Sequence, residues 1–199
     1  SSPYSASKAG SDLLALAYHT TYGLPVMVSR CTNKFGPRQY PEKLVPLFVT
    51  NAIDMVPLPV YGDGRNRRDW LHVRDHCEAL IALLGQEGID GEVFNIGAGQ
   101  ESDVLGMTDA ILGHLKRPAT LIRHVEDRPG HDRRYAVDAS RLERLTGWRQ
   151  TIGFEAGLKE TVDWFRANEG WWRPIKEGEF RAYYERMYGQ RKVLKEVRA

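Results

Sequence analysis

Ser2-Pro3-Tyr4-Ser5-Ala6-Ser7-Lys8 opens a run that ends at Tyr22-Gly23, and Pro25-Val26-Met27-Val28-Ser29-Arg30-Cys31 follows directly; this pair of segments decides the fold. Ser2 is placed to cap a helix, Pro3 to occupy its first turn and Gly23 to end it, which predicts a helix over Pro3 to Tyr22. Leu13, Leu14, Leu16, Ala17 and His19 spread over a broad face, so this helix is expected to be buried on more than one side. The Pro25–Cys31 run is short, apolar and β-branched, as a buried parallel strand reads. A helix leading into such a strand is the repeating unit of an α/β sheet.

Working outward, the alternation continues. A Gly- and Pro-bearing loop is expected from Asn33 to Glu42 and a helix from Lys43 to Met55. Pro57-Leu58-Pro59-Val60-Tyr61-Gly62 reads as a Pro-interrupted edge strand, and Gly62-Asp63-Gly64 as a turn. Arg68 to Val73 reads as a strand, Asp75 to Leu84 as a helix, and Glu92 to Gly97 as a buried strand. Met107 to Leu115 is helical in pattern and Thr120 to Val125 extended. Ser140 is placed to cap a short helix to Leu145, and Phe154 to Asn168 carries Leu158, Val162 and Phe165 on one side. The aromatic, charged tail from Gly170 is expected to lie as a helix over the body, with Arg191 to Arg198 a solvated helical end. Trp70, Trp171 and Trp172 are expected to pack rather than to serve as ligand platforms.

Composition bounds the function. The 199 residues allow one domain, or one and a fraction, and 42% hydrophobic with 27% charged residues is ordinary globular content. A net charge of +2, with basic residues scattered among acids, does not form the stripe that nucleic acid requires. Cys31 and Cys77, the two cysteines, have no metal-ligand spacing and stand in apolar runs. They are therefore expected to be buried free thiols in a reducing compartment, with no metal site. No run approaches the roughly 18 apolar residues of a membrane span, and no secretory signal is visible. A cytoplasmic protein with no nucleic-acid or membrane partner is the expectation. The sequence begins Ser-Ser-Pro without Met and enters a helix at once, which reads as a cut within a fold.

Tyr4 and Lys8 are four apart and so share a helical face. A phenol of ordinary pKa about 10 is a poor base at neutral pH, and each unit of lowering corresponds to about 1.4 kcal/mol. An ammonium beside the phenol favours the phenolate, making Tyr4 a usable proton acceptor. The spacing alone is equally compatible with an ordinary surface Tyr and Lys.

Motifs in order narrow the reading. They are Tyr4-Ser5-Ala6-Ser7-Lys8-Ala9, Arg30-Cys31-Thr32-Asn33, Gly36-Pro37 and Pro41-Glu42-Lys43-Leu44-Val45-Pro46. Pro57 to Gly64, Arg68-Asp69-Trp70, Asn95-Ile96-Gly97 and Asp127-Arg128-Pro129-Gly130-His131-Asp132-Arg133-Arg134-Tyr135 follow. Together they resemble the carboxyl-terminal part of the dTDP-glucose 4,6-dehydratase family, extended short-chain dehydrogenase/reductases that modify nucleotide sugars. The resemblance covers essentially the whole chain. It implies an α/β fold: an incomplete Rossmann-type parallel sheet interleaved with a smaller α/β substrate-binding domain. Residues 1–36 would be the remainder of the NAD-binding domain, and 37–199 mainly the sugar-nucleotide domain, with a segment near 65–97 returning to the Rossmann part.

The resemblance also implies a reaction, that of a hydro-lyase serving deoxysugar synthesis. Tyr4 takes the proton of the sugar 4-hydroxyl while hydride passes from carbon 4 to bound NAD. Water is then eliminated across carbons 5 and 6, and hydride returns to carbon 6. Lys8 would in addition bridge the nicotinamide ribose hydroxyls, so Tyr4 and Lys8 are both catalytic and cofactor-binding. Substrate contacts carry over to Asn33, Lys43, Leu44, Pro59, Val60, Tyr61, Arg68 and Asn95, and to Asp127, Arg128, Pro129, Gly130 and His131. Arg68 and Arg128 suit a diphosphate because guanidinium forks match phosphate oxygens; Tyr61 and the Pro59-Val60 backbone suit the base. Plainer roles stay open: a surface ion pair with Asp69 or Asp63 for Arg68, a turn cap for Asn95, a solvated loop histidine for His131. Lys34 stands where many members of the resembled family carry a second Asn beside the cofactor, so no NAD contact is assigned to it.

A dinucleotide site needs a Gly-rich first turn at a helix N-terminus and a ribose-binding acid some way on. Gly62-Asp63-Gly64 and Gly97-Ala98-Gly99 do not complete such a turn, and in this family the eliminating carboxylates precede the Tyr-Lys helix. That helix commonly joins a homodimer interface there, so Leu13, Leu16 and Ala17 are expected to favour association. Sister reactions (epimerase, decarboxylase) and a non-catalytic sugar-nucleotide-binding remnant are the alternatives. The 199 residues alone are expected to give no NAD-dependent 4-keto sugar product; its appearance in a coupled absorbance assay would contradict this reading.

Overall fold

A computed structural model describes residues 2–189 and 191–194. Helix α1 (Pro3–Tyr22) forms as its termini dictate: Ser2 accepts from the Ser5 amide, and Gly23, at φ 67°, closes the helix in the left-handed region. Strand β1 (Val28–Cys31) follows, then β2 (Asn33–Phe35), where a loop was expected. Next come α2 (Leu44–Ile53), β3 (Leu58–Tyr61), β4 (Arg67–His72), α3 (Val73–Leu84), β5 (Val93–Ile96), β6 (Glu101–Asp103) and α4 (Val104–Leu115). A 3-10 turn then leads into β7 (Ile122–Val125), β8 (Arg134–Tyr135), α5 (Ser140–Thr146), α6 (Phe154–Ala167), α7 (Glu169–Glu177) and α8 (Glu179–Tyr184). A π-helical turn over Glu185–Gly189 closes the helical tail. No helix among the described residues is long and apolar enough to cross a membrane.

The strands assemble mostly in parallel. β1 pairs with β5, Val28 opposite Val93 and Cys31 opposite Ile96. β2 pairs with β4, Asn33 opposite Trp70, and β3 pairs with β7, Leu58 opposite Ile122. β4 is the hub: β6 runs antiparallel to it, Arg67 opposite Asp103, and β8 parallel to it, Arg68 opposite Tyr135. Two hydrophobic clusters form. The larger gathers α2, α4, α6 and the tail around Phe35, Phe48, Leu58, Met107, Phe165 and Trp172. The smaller packs Leu71, Leu83, Phe94, Ile96, Leu142 and Trp148 between α3, α5 and the β4 and β5 strands.

Two buried carboxylates fasten these layers. Asp69, fully buried on β4, accepts from the amides of Ala98 and Gln100, each at 2.9 Å. Asp75, fully buried in the first turn of α3, accepts from the Thr151 amide and hydroxyl and from the Ile152 amide. Among the described residues neither carboxylate forms an ion pair; backbone amides, with the Thr151 hydroxyl on Asp75, satisfy them instead. A Cβ added at Gly97 would stand 2.7 Å from Asp69 Oδ2, so the loop can close on the carboxylate only with glycine there.

Several expectations are corrected. α1 has no buried residue and packs chiefly on β1; Leu13 and Leu14 are 69% and 61% exposed. Cys77 is exposed and Cys31 half-buried. The buried positions of α3 are Asp75, Ala79 and Leu83, spaced by four, which turns Cys77 to the opposite side. Ser140 is the first residue of α5 and not its cap; its amide and hydroxyl are held by Asp138. Residues 191–194 are not helical: Arg191 lies in a bend with its amide on the Tyr188 carbonyl, the Leu194 amide reaches the His124 carbonyl and Val193 bridges Val125. The remainder of that run, 195–198, lies outside the described residues.

Asp69→Ala is expected to destabilise the fold by about 1–3 kcal/mol for each of the two orphaned amides, and Gly97→Ala by about 1–3 kcal/mol through overpacking. Arg67→Ala, at the exposed first residue of the same strand, should cost under about 1 kcal/mol. Denaturant unfolding checks this ranking, and equal costs for Asp69→Ala and Arg67→Ala would contradict it.

Candidate active site

Tyr4 and Lys8 lie on one face of α1, the ammonium 5.8 Å from the phenol ring centre. Both are exposed, Tyr4 to 70%, so neither is committed to the core. Across the fold, the Tyr135 phenol on β8 donates to the Cys31 carbonyl at 3.0 Å, at the close of the strand that follows α1. Burial raises the Tyr135 pKa, and the neighbouring Cys31 and Tyr4 raise it further. β8 thereby brings the end of the Asp127–Tyr135 segment to the end of β1.

The other end of that segment builds a second cluster. Asp127 accepts from the Arg128 amide and from His131 Nδ1, both at 2.7 Å. A carboxylate acceptor places the ring proton on Nδ1 and leaves His131 Nε2 free. The His131 ring stands edge-on to Tyr61 at 6.0 Å. Gly130, at φ 68°, makes the tight turn that folds His131 back onto Asp127. Tyr61 ends β3 and is half-buried, while Pro59 and Val60 before it are buried.

Arg68 locks the middle of the segment. Only 8% exposed, it donates to the Asp132 carbonyl and the Arg67 carbonyl, each at 2.7 Å. Asn66 donates to the same Asp132 carbonyl. Burial lowers the Arg68 pKa, Asp132 opposes this, and Arg128 adds to it. The guanidinium stays charged and keeps further N–H donors beyond those two bonds, so it is an oriented cation awaiting an anion. The surface ion pair weighed for Arg68 is not formed: Asp63 is held by both Arg133 nitrogens at 2.7 and 2.8 Å, and Asp69 by backbone amides.

Other expected residues are more scattered. Asn95 donates to the Asp138 carbonyl at 3.2 Å, a bond across 43 residues of sequence and not the cap of its own turn. Lys43 sits at the N-cap position of α2 and pairs with Glu42 at 2.6 Å, and Leu44 packs against the larger core. Asn33 stands half-buried on β2, beside β4. No hydrogen bond or ion pair joins Tyr4 or Lys8 to the Tyr61–His131 cluster among the described residues. Two clefts, of about 350 and 510 Å³, are lined by none of the expected residues. Sequence reasoning missed Tyr188, whose ring stacks on Tyr61 at 5.9 Å, and Arg191, whose guanidinium lies 4.7 Å over the same ring. Their aromatic and cationic character was visible, but nothing local points a tail residue at Tyr61.

Comparison with known proteins follows this geometry. Residues 1–161 match the family model described as GDP-mannose 4,6 dehydratase. The chain is 56% identical over 171 residues to a dTDP-glucose 4,6-dehydratase of Actinoplanes sp. (strain ATCC 31044 / CBS 674.73 / SE50/110), covering 86% of this chain and 53% of that protein. It superposes on a dTDP-glucose 4,6-dehydratase of Streptomyces venezuelae crystallised with NAD (TM-score 0.85, 50% identity, 87% of this chain and 54% of that one). The Bacillus anthracis enzyme in complex with NAD is similar (TM-score 0.83, 50% identity, 88% and 56%). The chain thus spans about half the length of the relatives it matches.

The Arg133 fork holds the Asp63 carboxyl down from 3.8 to about 2. A depressed folded pKa contributes stability above the unfolded value and loses it as pH falls toward the folded one. Because Arg133 is largely exposed, the contribution is at most about 1 kcal/mol. Asp63→Asn is expected to flatten the part of the acid unfolding curve between about pH 4 and 2; an unchanged curve contradicts the pairing.

Proposed function

This chain belongs to the GDP-mannose 4,6 dehydratase family, and on that premise we propose that it carries the proton-transfer and sugar-nucleotide-holding part of an NAD-dependent dTDP-glucose 4,6-dehydratase. The product is the 4-keto-6-deoxy sugar nucleotide. The observation that carries this reading is the course of the Asp127–Tyr135 segment. One end holds His131 against Tyr61, its middle is pinned by Arg68, and its other end bonds Tyr135 to the Cys31 carbonyl, at the close of the strand that follows α1. A nucleotide end and a catalytic end are thus coupled through one strip of chain, as a substrate with a base at one end and a reacting hexose at the other requires.

Each residue has a task in this proposal. Tyr4 accepts the proton of the sugar 4-hydroxyl, and the Lys8 ammonium stabilises the phenolate so formed. The pair also fits NAD: an exposed phenol and ammonium on one helical face can hydrogen-bond the nicotinamide ribose, and Lys8 and Tyr4 would hold it there. NAD, when bound, supplies the acceptor and donor of hydride. Arg68 and Arg128 bind the diphosphate, Tyr61 with the Pro59 and Val60 backbone receives the thymine, and Asn33 and Asn95 donate amide hydrogen bonds to phosphate or sugar oxygens. Lys43 and Leu44 at the start of α2, together with Asp127, Pro129, Gly130 and His131, complete the enclosure.

Two coarser assignments belong to the same proposal. Residues 1–36 and the stretch near 65–97 form the cofactor half and the rest of 37–199 mainly the sugar-nucleotide half. The two hydrophobic clusters support this, with α5 joining the smaller one. The protein works as a cytoplasmic homodimer, supported by the apolar, uncovered face of α1 at Leu13, Leu14, Tyr18 and Tyr22.

In the native-length protein, Tyr4→Phe is expected to lower turnover of dTDP-glucose by roughly 10²–10⁴-fold, the usual worth of a positioned acid–base group, with dTDP affinity unchanged by calorimetry. Turnover within a few-fold of wild type would overturn the assignment.

A further inference from the structure

Lys34 is the residue where this chain departs from the pattern it otherwise follows, and the structure gives it a partner. Its Nζ lies 2.6 Å from Cys31 Sγ. The approach is fixed from both sides. Cys31 is registered against Ile96, and its carbonyl accepts from Tyr135; Lys34 is registered against Leu71, and its carbonyl accepts from Gln39. Both side chains are half-buried, and no carboxylate pairs with Lys34 among the described residues. The ammonium's partner among the described residues is the sulfur.

We propose that Cys31 and Lys34 form a redox modification site, in which a peroxide converts the pair into a covalent sulfur–nitrogen cross-link. The Cys31 thiolate attacks the peroxide: an S–O bond forms, the O–O bond breaks, and the second oxygen leaves as water. Sulfur is oxidised by two electrons and the peroxide reduced by two, giving a sulfenic acid. The Lys34 amine then attacks that sulfur: an S–N bond forms, the S–O bond breaks, and the hydroxyl leaves as water with a proton released by the nitrogen. No second oxidant is needed, as in the known condensation of sulfenic acids with nitrogen, and the link is opened again by a thiol.

The cross-link spares Cys31 from irreversible over-oxidation. It also clamps the Cys31–Lys34 turn that carries Asn33 and meets Tyr135. Cys77, exposed on α3, is the internal control. This inference does not depend on the dehydratase reading. Its test is tryptic mass mapping of the native-length protein, treated with hydrogen peroxide and alkylated without reductant. The expected species is the Cys31–Arg38 peptide, uncleaved at Lys34, unalkylated, two hydrogens lighter than its reduced form, and restored by a thiol reductant. Cys31→Ser and Lys34→Asn should each abolish it, and Cys77→Ser should not. Cys31 recovered as an alkylated thiol, as a sulfinic or sulfonic acid, or in a disulfide with Cys77 would overturn the proposal. So would the same species in the Lys34→Asn protein.

Discussion

A buried carboxylate with no cation, Asp69, is the constraint on which the rest of the structure depends. A charge at full burial is tolerated only where its lone pairs are met, and here the amides of Ala98 and Gln100 meet them. That requirement holds the loop after β5 against β4 and demands glycine at position 97. With the loop fixed, Gln100 reaches on to cap the approach to α6 through the Phe154 amide. It also leads into β6, which closes the far side of β4. One side chain thus sets the relative position of β4, β5, β6 and α6.

The neighbours of Asp69 share out the remaining work. Trp70 faces the larger core at 3% exposure and anchors the strand by its area. Arg68, two residues before it, takes hold of the Asp132 carbonyl. In three successive residues, β4 therefore grips the loop behind it, the core beneath it and the ligand-facing segment in front of it. Fixing the segment's backbone in advance leaves less to order when an anion arrives, which is how a pre-formed site gains affinity.

Helices and the longer strands were legible because their signals are local. Ser2, Pro3 and Gly23 bound α1, and Leu158, Val162 and Phe165 recur on one side of α6. β2, β6 and β8 were not legible. They are two or three residues long, and Glu101-Ser102-Asp103 and Arg134-Tyr135 have no apolar alternation; pairing with β4 makes them strands. The site shows the same division. Arg68, Tyr61 and the Asp127–His131 loop could be named from residue type and motif, whereas the Asp132 carbonyl that orients Arg68 lies 64 residues away. Tyr188 is more distant still, and its stacking on Tyr61 is a product of how the tail docks through the wholly buried Trp172. The exposed face of α3 explains why an apolar neighbourhood in sequence did not bury Cys77.

The central claim is that β4, through Arg68 and the segment it pins, presents a ready site for a nucleoside diphosphate sugar. The most direct test is a crystal structure of the native-length protein with dTDP bound. The account predicts diphosphate oxygens within hydrogen-bonding distance of the Arg68 guanidinium, with its bond to the Asp132 carbonyl retained and the thymine against Tyr61. A diphosphate bound elsewhere, with Arg68 making only its two carbonyl contacts, would contradict it.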